Sequence, residues 1–203
     1  MKLPAGEKHI IITVVALCVG LLLLLAFMFR KKLAIMIFDT YIVENKDAFV
    51  QKVKQISQNL GINPDWLMAT MALESSLNHR AVNKDTGAVG LIQFMPKTTV
   101  PSLGTTVEAL KAMSNVQQLS YVEKYLMPYK GKMNKFTDVY FAVFFPAAIG
   151  KPDDYVLQAS TLSASKIASQ NPHYDLNKDG KITVGEVKSY ISNWVAKRGF
   201  TII

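Results

Sequence analysis

Two stretches of this chain carry side chains whose types and spacing suit chemistry. The first runs from Glu74-Ser75-Ser76-Leu77-Asn78 to Gly87-Ala88-Val89-Gly90-Leu91-Ile92-Gln93-Phe94-Met95-Pro96-Lys97-Thr98. It joins a carboxylate late in an apolar helical pattern to a glycine-bearing turn and a second helical segment, an arrangement that suggests a groove. Leu67, Met71 and Glu74 recur at helical spacing, so the carboxylate shares a face with apolar neighbours. Poor solvation there disfavours the charged form and raises a carboxyl pKa, as a general acid working near neutral pH requires. The same residue read structurally is a buried ion-pair partner of Arg80 or Lys84. Gln93 offers an amide donor and a carbonyl acceptor suited to a ligand rich in hydroxyl and acetamido groups, or it braces a turn.

The second stretch, Asp175-Leu176-Asn177-Lys178-Asp179-Gly180-Lys181-Ile182-Thr183-Val184-Gly185-Glu186, fits the EF-hand loop at each defining position. Calcium needs hard oxygens, here from Asp175, Asn177 and Asp179, the Lys181 carbonyl, water or Thr183, and both oxygens of Glu186, with Gly180 making the sharp turn. Val187, Tyr190, Ile191, Trp194 and Val195 form the apolar face of an exiting helix. The entering side is weaker: residues 162 to 170 can be helical, but Asn171-Pro172 intervenes. With no second EF-hand to pair with, the loop reads as a structural Ca2+ staple for the C-terminal tail, against the alternative of a metal-free acidic turn.

Several elements must position these groups. Phe49, Val50, Val53, Ile56 and Leu60 form an amphipathic helical stripe over about Asp47 to Leu60, ended by Gly61. Asn63-Pro64-Asp65 supplies an N-cap, proline at the first helical position and an acid in the first turn, so a helix starts there and runs to about Leu77. Asn83 to Gly87 has turn chemistry. Pro101 to Gly104 reads as a loop. Helical patterns resume over Thr106 to Met113 and Val116 to Tyr129, and the apolar stretch from Val139 to Phe145 stops at Pro146. Little alternates with a strand period, so the fold class is mainly α.

Ile10 to Phe29 is an unbroken run of 20 uncharged, mostly apolar residues. At about 1.5 Å per residue it spans the ~30 Å hydrocarbon layer as one transmembrane helix through the lipid bilayer. Phe27-Met28-Phe29-Arg30-Lys31-Lys32 follows where a signal peptide would carry a small-residue cleavage site. Leu33 to Phe38 is too short for another span. The cluster Arg30-Lys31-Lys32 outweighs Lys2 and Lys8, which favours a cytoplasmic C-terminal part in a host cell.

Net charge is +8, yet residues 39 to 203 carry 18 basic and 14 acidic side chains, leaving +4. With Arg80 and Arg198 the only arginines beyond Arg30, there is no basic patch of the kind that binds nucleic acid. Cys18 is the only cysteine, so the fold rests on its core rather than on a disulfide.

Glu74-Ser75, Asn78, Ala81 and the run Gly87 to Thr98 resemble the catalytic core of the lytic transglycosylases, which share a lysozyme-like α fold with goose-type lysozyme. Tyr125-Leu126 resembles the family's helix-borne Tyr-Leu pair, and the likeness covers roughly residues 45 to 155. The resemblance implies that Glu74 protonates the glycosidic oxygen between N-acetylmuramic acid and N-acetylglucosamine in peptidoglycan. Glu74 then acts as base on the muramoyl 6-hydroxyl, giving a 1,6-anhydro sugar with no cofactor in the chemistry. It implies substrate contacts from Ser75, Gln93, Tyr125 and Phe145. A goose-type hydrolase or a non-catalytic wall-binding protein of the same fold are the alternatives. The sequence departs from the family where it reads Phe145-Pro146 in place of Tyr-Asn. The missing hydroxyl must come from elsewhere, with Tyr121, Tyr140 and Tyr155 as candidates.

Three parts are therefore expected: an anchor and juxtamembrane segment over 1–38, a lysozyme-like domain over 39–158 and an EF-hand-like helix-loop-helix over 159–203. Such an anchored enzyme fits a bacterial cell envelope or the membrane of a phage virion, alongside other virion or envelope proteins. The charge asymmetry about the span tilts the expectation to the phage, opening the wall at entry.

Overall fold

The computed structural model describes residues 19–22 and 41–201. The chain divides into two compact units, Met1–Ile37 and Phe38–Ile203. In the first, Val19 to Leu22 are helical. The rest of the expected span Ile10 to Phe29, and the patch Leu33 to Phe38, lie outside the described residues. Among the described residues no helix is long and apolar enough to cross a membrane.

The second unit is mainly α. Its helices are α1 (Lys46–Leu60), α2 (Pro64–Ser75), α3 (Thr99–Ser102), α4 (Val107–Ala112), α5 (Asn115–Leu126), α6 (Phe136–Phe144), α7 (Ala164–Gln170) and α8 (Val184–Ala196). Short 3-10 turns follow α5 at Met127–Tyr129 and α6 at Pro146–Ala148. Among the described residues β pairing is limited to isolated antiparallel bridges. The expected loop from Pro101 begins inside the single turn of α3, which supplies the helical segment expected after the motif's glycines.

α2 is the central element. Six consecutive residues, Leu67 to Ala72, are buried, so this helix is apolar around most of its circumference rather than along one stripe. It packs against α1 and α6, while α1 also packs against α5. Phe49, Val53, Ile56 and Leu60 of α1 and Leu119, Val122 and Leu126 of α5 fill the space between. Each such side chain contributes on the order of 2 kcal/mol when removed from water. Thr70, polar and buried within α2, donates its hydroxyl to the Trp66 carbonyl at 2.9 Å.

The start of α2 follows its sequence signals. The Asn63 side chain accepts from the Asp65 N–H at 2.9 Å, with Pro64 as the first helical residue. Its end does not: the helix stops at Ser75 rather than Leu77. Ser76 (φ 54°) and Leu77 (φ 59°) both take the left-handed conformation, and their N–H groups close back on the Ala72 and Met71 carbonyls. Two such non-glycine residues store strain of about 1 to 3 kcal/mol each. Burial of Leu77, 3 % exposed, helps offset it.

The C-terminal segment belongs to the same unit. Leu157 N–H donates to the Ile182 carbonyl, Val184 N–H to Tyr155 and Gly185 N–H to Asp153, all at 2.8 to 2.9 Å. Ile182, Val184, Val187 and Ile191 are fully buried, so α8 and the loop before it share the core.

Candidate active site

Glu74 lies in the last turn of α2, where the buried stretch of that helix gives way to a half-buried surface. Glu74 itself is half-buried, with its carboxyl among protein atoms. Burial pushes its pKa from an ordinary 4.5 up to about 7, against the opposing pull of a hydrogen bond from Tyr140. Carbonyl ends of α2 sit in the same turn, and their partial negative charge acts in the same direction as burial. The described ion pairs do not include Glu74, so the reading of it as an Arg80 or Lys84 partner is not met: Arg80 reaches Glu44 instead.

Three tyrosines surround this carboxyl. Tyr140 of α6, 3 % exposed, has its hydroxyl near Glu74 and acts on its carboxyl in the manner of a hydrogen-bond donor. Tyr125 of α5 donates its hydroxyl to the Ala142 carbonyl at 3.0 Å, and its pKa is pushed up to about 12 by burial, by Tyr129 and by the nearby Glu74. Tyr174, from the loop after α7, hydrogen-bonds the Tyr140 hydroxyl with its own. Burial and Glu74 also raise the pKa of Tyr140 well above its ordinary value. The hydroxyl missing at Phe145 is therefore present, delivered by Tyr140 from within α6. Of the three candidates in the sequence, Tyr140 is the one that acts on the Glu74 carboxyl. Phe145 itself is half-buried at the C-terminal end of α6, its N–H bonded to the Phe141 carbonyl at 2.9 Å.

The glycine-bearing stretch is held against α2 from two sides. Ser75 donates its hydroxyl to the Met71 carbonyl at 3.1 Å and to the Leu91 carbonyl at 2.9 Å. Across Leu91, the buried Gln118 of α5 accepts from the Leu91 N–H at 3.1 Å and donates to the carbonyls of His79 and Leu110 at 2.7 and 2.8 Å. Gly90 (φ 78°) passes directly beneath this amide: a Cβ there would stand 2.4 Å from the Gln118 Oε1. Positive φ and close approach both demand glycine at this position.

Val89 pairs with Val82 and with Phe94 in two antiparallel bridges, so the turn around Gly90 to Gln93 is a tight, cross-braced knuckle. Gln93 takes φ 52° and donates its side-chain amide to the Gly90 carbonyl at 3.1 Å. Asn83 closes the preceding turn, its side-chain oxygen accepting from Asp85 and Thr86 N–H at 2.9 and 3.0 Å. Asp85 is exposed on that turn.

Sequence reasoning passed over Gln118 and Tyr174. An N-terminal helical signal around Ser114-Asn115 was available, and Ser114 with Gln117 does form a capping box. Nothing local marks Gln118, two of whose three partners, Leu91 and His79, lie 27 and 39 residues away.

In the Asp175–Glu186 loop the side-chain oxygens expected to face calcium accept from the loop's own N–H groups. Asp175 accepts from Asp179 and Gly180 N–H, Asn177 from Asp179 N–H and Asp179 from Lys181 N–H, at 2.9 to 3.1 Å. Glu186 accepts from Leu176 and Asn177 N–H through one oxygen and from Thr183 N–H and hydroxyl through the other. It thus joins the two ends of the loop while forming a capping box with Thr183 at the start of α8. Among the described residues no three His, Cys, Asp or Glu groups converge as a metal-holding cluster. The oxygens of this loop are nevertheless of the hard type that calcium takes; those accepting one N–H keep a further lone pair, and Glu186, with two donors on each oxygen, would have to exchange some of them for the ion.

Comparison with curated proteins returned no match. Residues 51–142, which hold α2, the Gly90 knuckle, Gln118 and Tyr140, match the family model of the Transglycosylase SLT domain. That family consists of lytic transglycosylases acting on peptidoglycan, and residues 51–142, a little under half of the chain, are similar to their enzyme domain.

Proposed function

We propose that the protein cleaves the β-1,4 bond between N-acetylmuramic acid and N-acetylglucosamine with Glu74 as the single acid and base. In its protonated form Glu74 gives its proton to the glycosidic oxygen as that bond breaks. The resulting carboxylate takes the proton of the muramoyl 6-hydroxyl as that oxygen closes on the anomeric carbon, giving the 1,6-anhydro product and restoring the acid. One observation carries this reading: the carboxyl is held by burial at a pKa of about 7, so both protonation states are accessible near neutral pH. Among the described residues no second carboxylate is named as acting on it. A hydrolysing glycosidase normally pairs two.

In this reading Tyr140 orients the carboxyl, and Ser75 fixes the end of α2 to the knuckle that presents Gln93. Gln93, Tyr125 and Phe145 contact the glycan, Phe145 through its ring face. With a hydroxyl on Glu74 from Tyr140, the Phe145-Pro146 departure gives little reason to favour a non-catalytic scaffold. The fold assigned to the domain is the lysozyme-like α fold. Incubating purified peptidoglycan with the full chain and with Glu74→Gln tests the role of Glu74. Release of soluble fragments by the first alone supports it, and equal release by both refutes it.

Two accessory features complete the proposal. Asp175, Asn177, Asp179, the Lys181 carbonyl and Glu186 would hold a Ca2+ that staples the loop before α8 and takes no part in the chemistry. Ile10 to Phe29 would anchor the enzyme in a bilayer, either of a bacterial envelope or of a phage virion that opens the wall at entry.

A further inference from the structure

The groups around Glu74 do not all come from the SLT-matched region. Tyr174 lies beyond it, in the loop between α7 and α8, yet it is 4 % exposed and its hydroxyl meets that of Tyr140. Its ring is locked by packing: Phe144 stands 4.8 Å away, Tyr190 of α8 4.9 Å and His173 4.1 Å between ring centroids. Its N–H donates to the Asn171 carbonyl at 3.0 Å. A buried tyrosine hydroxyl fixed on three sides meets a second hydroxyl, Tyr140, which acts on the Glu74 carboxyl, so that three oxygens run inward from the C-terminal segment.

We propose that Tyr174 is a positioning residue for Glu74, acting through Tyr140, so that the segment after the SLT-matched region completes the catalytic site. The inference rests on Glu74 being the acid and base of the reaction. The physical reason is donor arithmetic. Each tyrosine has one hydroxyl proton. When Glu74 is ionised, Tyr140 donates to the carboxylate and must itself be supplied by Tyr174. When Glu74 is protonated, the same three oxygens accommodate the opposite polarity, with Tyr140 donating to Tyr174. No proton is gained or lost along the chain, but its two orientations match the two states the reaction alternates between. Polarised chains of this kind strengthen one another in a low-dielectric setting. Among the described residues the titratable groups acting on the carboxyl are Tyr140 of α6, Tyr125 of α5 and Tyr174, with no cation among them.

The test compares full-length protein carrying Tyr174→Phe with protein carrying 4-fluorophenylalanine at 174, which fills the hydroxyl's space without donating. Both are made with Tyr140 intact and with Tyr140→Phe. Two readouts are taken: kcat and KM on peptidoglycan, and the titration midpoint of the Glu74 carboxyl by carbon NMR, assigned by its absence in Glu74→Gln. Loss of one donor to the ionised state should raise the midpoint by about half a pH unit and lower kcat about three- to tenfold with KM held. Both effects should vanish in the Tyr140→Phe background, because Tyr174 then has no route to Glu74. Unchanged midpoint and kcat in a folded variant overturn the proposal, and so do effects that persist without the Tyr140 hydroxyl. If the unaltered protein releases no fragments, the assigned reaction fails while the NMR arm still decides whether Tyr174 acts on Glu74.

Discussion

Replacing Glu74 by glutamine should stabilise the protein while removing its activity, and the gain should depend on pH in a defined way. The carboxyl's pKa is 4.5 in an ordinary setting and about 7 in the fold. At about 1.4 kcal/mol per pH unit, the ionised form is therefore disfavoured by about 3 kcal/mol in the folded state. The folded pKa lies above the unfolded one, so this penalty is absent below pH 4.5, grows as pH rises from there, and is complete above about 7. Glutamine has the same shape, can accept from the Tyr140 hydroxyl and never ionises. Glu74→Gln should thus melt together with the parent at pH 4. At pH 8 it should melt higher by roughly 10 °C, since about 2 to 4 °C per kcal/mol is usual at this size. Thermal unfolding followed by circular dichroism across that range measures it. A stability difference that does not change with pH, or a variant less stable at pH 8, would refute the argument that burial strains this carboxylate.

The knuckle should be equally sensitive. Gly90→Ala places a Cβ against an amide pinned by three hydrogen bonds and strains a φ of 78°. A loss of about 2 kcal/mol or more, read by denaturant unfolding, is expected. Gln118→Leu should cost at least as much, because it strands Leu91 N–H and two carbonyls in the core; wild-type stability in either variant contradicts the bracing role. The kcat/KM for peptidoglycan should fall as pH rises through about 7, as Glu74 loses the proton it must donate; a profile flat from pH 6 to 9 removes it as the acid. Calcium should raise the melting temperature and a chelator lower it, since an ion bound only by the folded loop adds to its stability; melting curves unmoved by either reject the staple.

Much of this site was legible in the sequence because it is written in local signals. Asn63-Pro64-Asp65 starts α2 where it should, Gly61 ends α1, and the spacing of Leu67, Met71 and Glu74 places the carboxyl against an apolar face. The Asn83 turn follows from a side chain that bonds its own neighbours. What escaped depends on distant partners. Gln118 is a polar residue on a helix until the carbonyls of His79 and Leu110 converge on it. Tyr174 is one of eight tyrosines until the C-terminal segment folds back beside α6. The early end of α2 is equally non-local, because Ser76 and Leu77 have no intrinsic reason to adopt positive φ and do so where burial of Leu77 helps offset the strain. The Phe145-Pro146 departure suggested a missing hydroxyl, and only three-dimensional placement shows Tyr140 carrying it.

The central claim is that one carboxyl performs both proton transfers and the sugar closes on itself. Mass analysis of the fragments released from purified peptidoglycan by the full-length protein tests it most directly. The account predicts muramoyl ends lighter by one water, the 1,6-anhydro form, in the wild-type digest and none with Glu74→Gln. Reducing ends in the wild-type digest would mean that water is the nucleophile, and would contradict it.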